Sequence, residues 1–144
     1  MSGAADDGFP RFLIPAITPE ASEFFAGTVR GELRVPRCRT CGKHHHYPRL
    51  LCPHCGGDAL EWITATGRGT VHSFTVIRQH GLPPFKEQVP FVVALVDLDE
   101  DGARMLAQLP TVGPDDARIG MKVRAVFRPV SDEVALVDFE PVDA

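Results

Sequence analysis

The stretch Cys38-Arg39-Thr40-Cys41, followed after ten residues by Cys52-Pro53-His54-Cys55, holds all four cysteines of this 144-residue chain. Two thiolates two residues apart sit on one tight turn and point at one atom, and a second such turn completes the sulfur tetrahedron that suits zinc. Gly42 and Gly56-Gly57 follow the second cysteine of each pair, where the turn calls for positive φ, and Pro53 fits the same turn. The spacing therefore predicts one metal held by Cys38, Cys41, Cys52 and Cys55. Iron suits the same four thiolates, so the ion is zinc or iron. Two disulfides would call for an export signal, and a redox pair would call for a βαβ context; the sequence shows neither. His44, His45, His46 and His54 lie nearby and are read as surface residues or as partners behind the ligands. A closed four-sulfur site leaves no coordination position for substrate, so the metal is expected to be structural, stabilising a small loop-rich module by an amount on the order of 10 kcal/mol.

Around this module the composition is that of a soluble globular protein, with 44% hydrophobic and 24% charged residues and a net charge of −4. No apolar run is long enough to span a membrane, and reduced cysteines without an address signal point to the cytoplasm. From Leu33 to Gly57 there are five bases and no acid, whereas from Asp97 to Ala144 there are eleven acids and five bases. The basic run either neutralises its own thiolate cage or faces a small anion or an acidic partner. An acidic barrel half argues against nucleic acid.

Thr18-Pro19-Glu20 reads as a helix start, with Thr18 as N-cap and Pro19 in the first turn. Ala21, Phe24, Phe25 and Val29 then mark an apolar face, and Gly31 the stop. Phe24 and Phe25 exceed what so short a helix needs, which marks them for the core or for docking a partner. Before the helix, the acidic start and Phe9-Pro10-Arg11-Phe12-Leu13-Ile14-Pro15 read as an irregular arm whose apolar residues pack on a neighbour. Short strands at Glu32–Pro36 and Leu60–Ile63 frame the metal module, with Trp62 over the seam between the module and the next domain. From Gly67 the pattern is β: strands over Gly69–Ile77, Phe91–Leu98 (an unbroken apolar run, hence buried), Arg104–Leu109, Met121–Arg128 and Val134–Phe139. A proline-rich loop fills 80–90, Asp99–Gly102 is a hairpin turn, and 113–120 carries one helical turn. Five strands in this layout predict a small OB-type Greek-key barrel, so the fold class is mainly β. The expected divisions are 1–32 for the arm and helix, 33–64 for the ribbon and 65–144 for the barrel.

Phe24–Leu33, the two cysteine knuckles, Leu60-Glu61-Trp62, Gly67–Val71, Pro90–Val96, Ile119–Val123 and Phe139-Glu140-Pro141, in this order, resemble the zinc-ribbon/OB-fold proteins associated with acyl-CoA enzymes. The resemblance covers the chain from about Pro19. It implies a rubredoxin-like zinc ribbon with a preceding helix, joined to an OB barrel. It also implies assembly with a thiolase-fold enzyme (a thiolase, or a retro-aldolase that removes a steroid side chain) or with a hot-dog-fold enoyl-CoA hydratase. Members often lack ribbon cysteines; this chain keeps all four. The residues themselves agree, since no nucleophile elbow, H-E-x-x-H or phosphate loop is present. The chain is thus expected to be a non-catalytic subunit of a hetero-oligomer that activates a thiolase-like partner. Arg78, His80, Pro84, Phe85 and Lys86 in the 78–90 loop are the candidates for its acyl-CoA channel, with Arg78 and Lys86 toward CoA phosphates. The alternative use of an OB barrel is to bind single-stranded nucleic acid.

Overall fold

The computed structural model describes residues 9–142. The acidic start of the arm and the last two residues of the expected barrel lie outside that range. Phe9 is buried, a 3-10 turn follows at Arg11–Leu13, and Leu13 and Ile14 pack against the core while Phe12 faces solvent.

The helix begins as a 3-10 turn, Pro19–Ala21, and becomes α1 over Ser22–Val29. Thr18 holds the N-cap position but its side chain makes no capping bond; Ser22 Oγ instead donates to the Pro19 carbonyl at 3.0 Å. Gly31, at φ +77°, ends the element, and Glu32 N–H closes back on the Gly27 carbonyl at 2.9 Å. One expectation is corrected and one alternative narrowed. Val29 is exposed, and Thr28 points inward in its place. Its hydroxyl donates to the Phe25 carbonyl at 2.8 Å and accepts the Ala135 N–H at 3.2 Å, so the helix is stapled to the last strand by a satisfied buried polar group. Phe24 and Phe25, 5% and 4% exposed, sit in the core edge-to-face, so their rings are not an exposed docking pair.

Strands β1 (Arg34–Cys38) and β2 (Leu60–Thr64) form an antiparallel ribbon with Cys38 opposite Leu60. Half-buried Trp62, opposite Pro36, packs against the core as expected. Five further strands make the second sheet: β3 (Arg68–Ile77), β4 (Phe91–Leu98), β5 (Arg104–Gln108), β6 (Lys122–Pro129) and β7 (Ala135–Pro141). Their order is β5-β4-β3-β6-β7, every pair antiparallel. β3 serves both neighbours, pairing along its length with β4 and through Arg68–Thr70 with β6. Its register slips between Val71 and Ser73, a bulge of the kind that bends a strand into a closing sheet. The result is a nearly closed five-stranded OB-like barrel whose edge strands are β5 and β7.

Three sequence readings change here. β4 is fully buried on alternate residues only (Val92, Ala94, Val96, Leu98), and the other half of its run is half-buried. The 80–90 loop contains a four-residue helix, α2 (Phe85–Gln88). The 113–120 connection has turns and no helix. Phe139, Leu109, Val71, Val96 and Val123 anchor the barrel interior, each worth about 2 kcal/mol on burial. The same core runs on through Phe24, Phe25, Leu33 and Val35, so helix, ribbon and barrel share one apolar interior.

Candidate functional site

The two cysteine turns are built alike. Gly42 N–H bonds to the Cys38 carbonyl and Gly56 N–H to the Cys52 carbonyl, each at 2.8 Å. Cys38 N–H bonds to Lys43 O and Cys52 N–H to Gly57 O, again at 2.8 Å. Gly42 and Gly56, at φ +81° and +80°, make these turns affordable; Gly57, expected to share the role, lies outside the left-handed region. The four Sγ atoms lie within 4.8 Å of one another, with Cys38–Cys55 at 3.6 Å and Cys41–Cys52 at 3.7 Å. Sulfurs at the corners of a tetrahedron with Zn–S of about 2.3 Å stand about 3.8 Å apart, so the cage fits the ion. Its acid–base chemistry points the same way. Backbone N–H groups of Cys41 and Thr40 bring the Cys38 thiol down to about 6 against the effect of burial. Cys55, although the Gly57 N–H favours its thiolate, is pushed up to about 11 by the neighbouring sulfurs, Cys38 first. Sulfurs this close hold several thiolates together only around a cation.

None of the four histidines joins this ligand cluster. His44 and His54 brace it. His54 Nε2 lies 2.9 Å from the His44 carbonyl, and His44 bonds through its N–H (2.8 Å) and Nδ1 (3.1 Å) to the Asp101 carbonyl in the β4–β5 turn. Gly102 beside it, at φ +96°, lets the turn approach, since a Cβ there would lie 2.6 Å from the His44 carbonyl oxygen. His45 and His46 turn inward, correcting the expectation of surface residues. His45 is 2% exposed with neither ring nitrogen bonded, and His46 Nδ1 is likewise buried without a partner. Burial, and then the neighbouring His45, holds the His46 imidazole down at about 4, so it is neutral. Of the five ribbon bases, Arg34 pairs with Glu23 and Arg37 with Glu61, each at 3.0 Å. Among the described residues Arg39, Lys43 and Arg49 have no carboxylate partner.

A second feature has no counterpart in the motifs. A cavity of about 530 Å³ lies between β5, β7, α1, the ribbon and the 80–90 segment. Both edge strands contribute, Met105–Gln108 and Ala135–Asp138, so the space sits where the barrel stays unclosed. His80, Phe85 and Phe91 stack along one side, with ring centroids 4.9 and 6.0 Å apart in turn. Of the loop candidates, His80 and Phe85 thus reach this wall. Arg78 and Lys86 are exposed away from it, and Pro84 caps α2 without lining the space. The sequence reading missed Phe9, His46, Arg128 and Asp138. Arg128 Nε donates to Asp138 Oδ2 at 3.1 Å across the β6–β7 pair, and Asp138 is 6% exposed. The available signal was an acid inside the apolar run Val134–Phe139, since a buried carboxylate calls for a partner.

Comparison with known proteins matches residues 25–61 to the family described as "ChsH2, rubredoxin-like zinc ribbon domain" and residues 62–128 to "ChsH2, C-terminal OB-fold domain". A "DUF35 domain-containing scaffold protein" of Methanothermobacter thermautotrophicus is 38% identical over 105 residues, 72% of this chain and 77% of that one. A "Probable enoyl-CoA hydratase alpha subunit" of Thermomonospora curvata is 35% identical over 127 residues, 88% of this chain. The chain spans 39% of that relative's length. Among solved structures, an "Ltp2-ChsH2(DUF35) aldolase" chain superposes with a TM-score of 0.76 at 34% identity, covering 88% of this chain and 98% of that one.

Proposed function

Because the chain belongs to the ChsH2-type DUF35 family of zinc-ribbon plus OB-fold proteins, we propose that it is a non-catalytic accessory subunit that binds and activates a thiolase-fold acyl-CoA enzyme. The partner is a thiolase or a retro-aldolase, one that cleaves a steroid side chain included, and this chain helps shape its acyl-CoA channel in a cytoplasmic hetero-oligomer. The observation that carries this reading is the structural neighbour described as an aldolase, which this chain matches over nearly its whole length. The chain's own chemistry supports it. Cys38, Cys41, Cys52 and Cys55 would hold a structural zinc, which supplies rigidity and leaves no open position for substrate. With its cysteines committed, the chain offers position, and ordering a partner's reacting groups is worth orders of magnitude in rate. Arg78 and Lys86, exposed on the same loop as the cavity residues His80 and Phe85 but outside the cavity, are the residues proposed for CoA phosphates. Among the described residues no helix is long and apolar enough to cross a membrane.

The test is co-expression with the candidate thiolase-fold enzyme, followed by assay of carbon–carbon cleavage with and without this chain. Activity of the partner alone is expected to fall at least tenfold; equal activity and stability without the chain overturns the reading. A hot-dog-fold hydratase partner is the second reading, favoured by the hydratase-subunit relative that matches 88% of this chain. Pull-down against both enzyme classes separates the two.

A further inference from the structure

We propose that the cavity at the unclosed barrel seam binds an apolar body carrying one neutral carbonyl oxygen, with Arg128 holding that oxygen. The thioester form of this ligand rests on the acyl-CoA reading above; the chemistry of the site does not. A space of about 530 Å³ falls within the range of small-molecule pockets, and apolar walls with few convergent polar groups are what such pockets show. The ion pair of this wall is Arg128 with Asp138, and His46, Tyr47, His80 and Gln108 are its other polar side chains. The Arg128 guanidinium is fixed on one side by Asp138 at 3.1 Å, and its carbon lies 5.7 Å from the centre of the Phe9 ring. Only Nε is used by a protein acceptor among the described residues, which leaves the terminal nitrogens of this lining residue as donors for a ligand.

Asp138 decides which acceptor they donate to. It is almost fully buried beside the guanidinium and cancels its charge, so the pair presents oriented N–H groups with little net field. A carboxylate brought to this wall would meet Asp138 as well as Arg128, whereas a carbonyl oxygen needs only the donors. Among the other polar side chains of the wall, His46 has its Nδ1 buried and unbonded, and its neutral ring adds no charge. A linear acyl thioester and a polycyclic ketone share this chemistry.

The experiment uses the zinc-loaded full chain without any partner. Calorimetric and NMR titrations with S-decanoyl-N-acetylcysteamine, with progesterone, with decanoate and with coenzyme A separate the linear, ring, anionic and acyl-free arms. Saturable one-to-one binding is expected for at least one carbonyl probe, with shifts at cavity residues, and weaker binding for decanoate and coenzyme A. Arg128→Met should lower the affinity about tenfold. Leu136→Trp, and independently Val93→Trp, should fill the space and abolish binding, with zinc content and circular dichroism reporting the fold. Failure of both carbonyl probes, equal binding of decanoate or coenzyme A, or wild-type affinity in a folded filler variant overturns the proposal. A chain that activates its partner yet binds neither carbonyl probe sinks this inference and leaves the accessory reading standing. Binding without activation does the reverse.

Discussion

The metal ribbon and the barrel seam are neighbours built on opposite principles. The ribbon closes on contacts seventeen residues apart or fewer between its sulfurs, Cys38 with Cys55 and Cys41 with Cys52. The seam joins Phe9, α1 and the strands β5 and β7, segments more than a hundred residues apart at the extremes. One region is organised by an ion that four side chains hold; the other by apolar packing that stops short of closing. A rigid, self-contained cage next to an open apolar seam is an arrangement suited to presenting the second by means of the first.

Removing the metal should produce the largest effect. Chelation, or Cys41→Ser, removes binding energy on the order of 10 kcal/mol from the ribbon. In NMR spectra, signals of residues 34–64 are expected to collapse while those of β3–β7 persist. Simultaneous loss of the barrel would show that the two regions are not separable.

The next largest lies at their contact, where His46 of the ribbon meets Phe24 of the helix with centroids 5.0 Å apart. An unfolded imidazole takes its proton near 6.5 and the folded one near 4. Between these values the unfolded state binds more protons, so stability falls as pH falls through the window, and below about 4 the slope vanishes because both states are charged. The loss amounts to about 3 kcal/mol. Denaturant titrations from pH 7 to 4 should show a steeper slope in the wild type than in His46→Phe, where His45, likewise held below its ordinary value by burial, still contributes. Protonation of metal-bound thiolates affects both proteins alike, so an equal slope in the two would remove His46 from the account.

The smallest of the three sharpens how the regions touch. Gly102→Ala puts a Cβ 2.6 Å from the His44 carbonyl oxygen at a φ of +96°, and should cost about 2 kcal/mol. Thermal unfolding checks this, with Gly120→Ala as the control, a positive φ with nothing nearby. Equal losses at both would reduce the Gly102 effect to backbone strain and leave the ribbon contact without weight.

Both C-x2-C turns, the helix around Phe24 and Phe25, and the five barrel strands were legible because each rests on neighbours within a few residues: ligands on one turn, apolar spacing of helix or strand, a glycine after each knuckle. The metal ligands therefore follow from sequence. Burial of His45 and His46, the inward turn of Thr28 and the half-buried face of β4 do not, since each answers to a surface supplied by a distant segment. The loop candidates divided for the same reason: His80 and Phe85 meet the Phe91 side of β4, and Arg78 and Lys86 do not. The cavity exists only because β5 and β7 approach without joining, a matter of how one sheet curls back on itself, and the Arg128–Asp138 pair of β6 and β7 borders it for that reason. Spacing along the chain settles which atoms share a turn; it carries no record of the distance between two strand edges, and that distance decides whether a cavity opens between them.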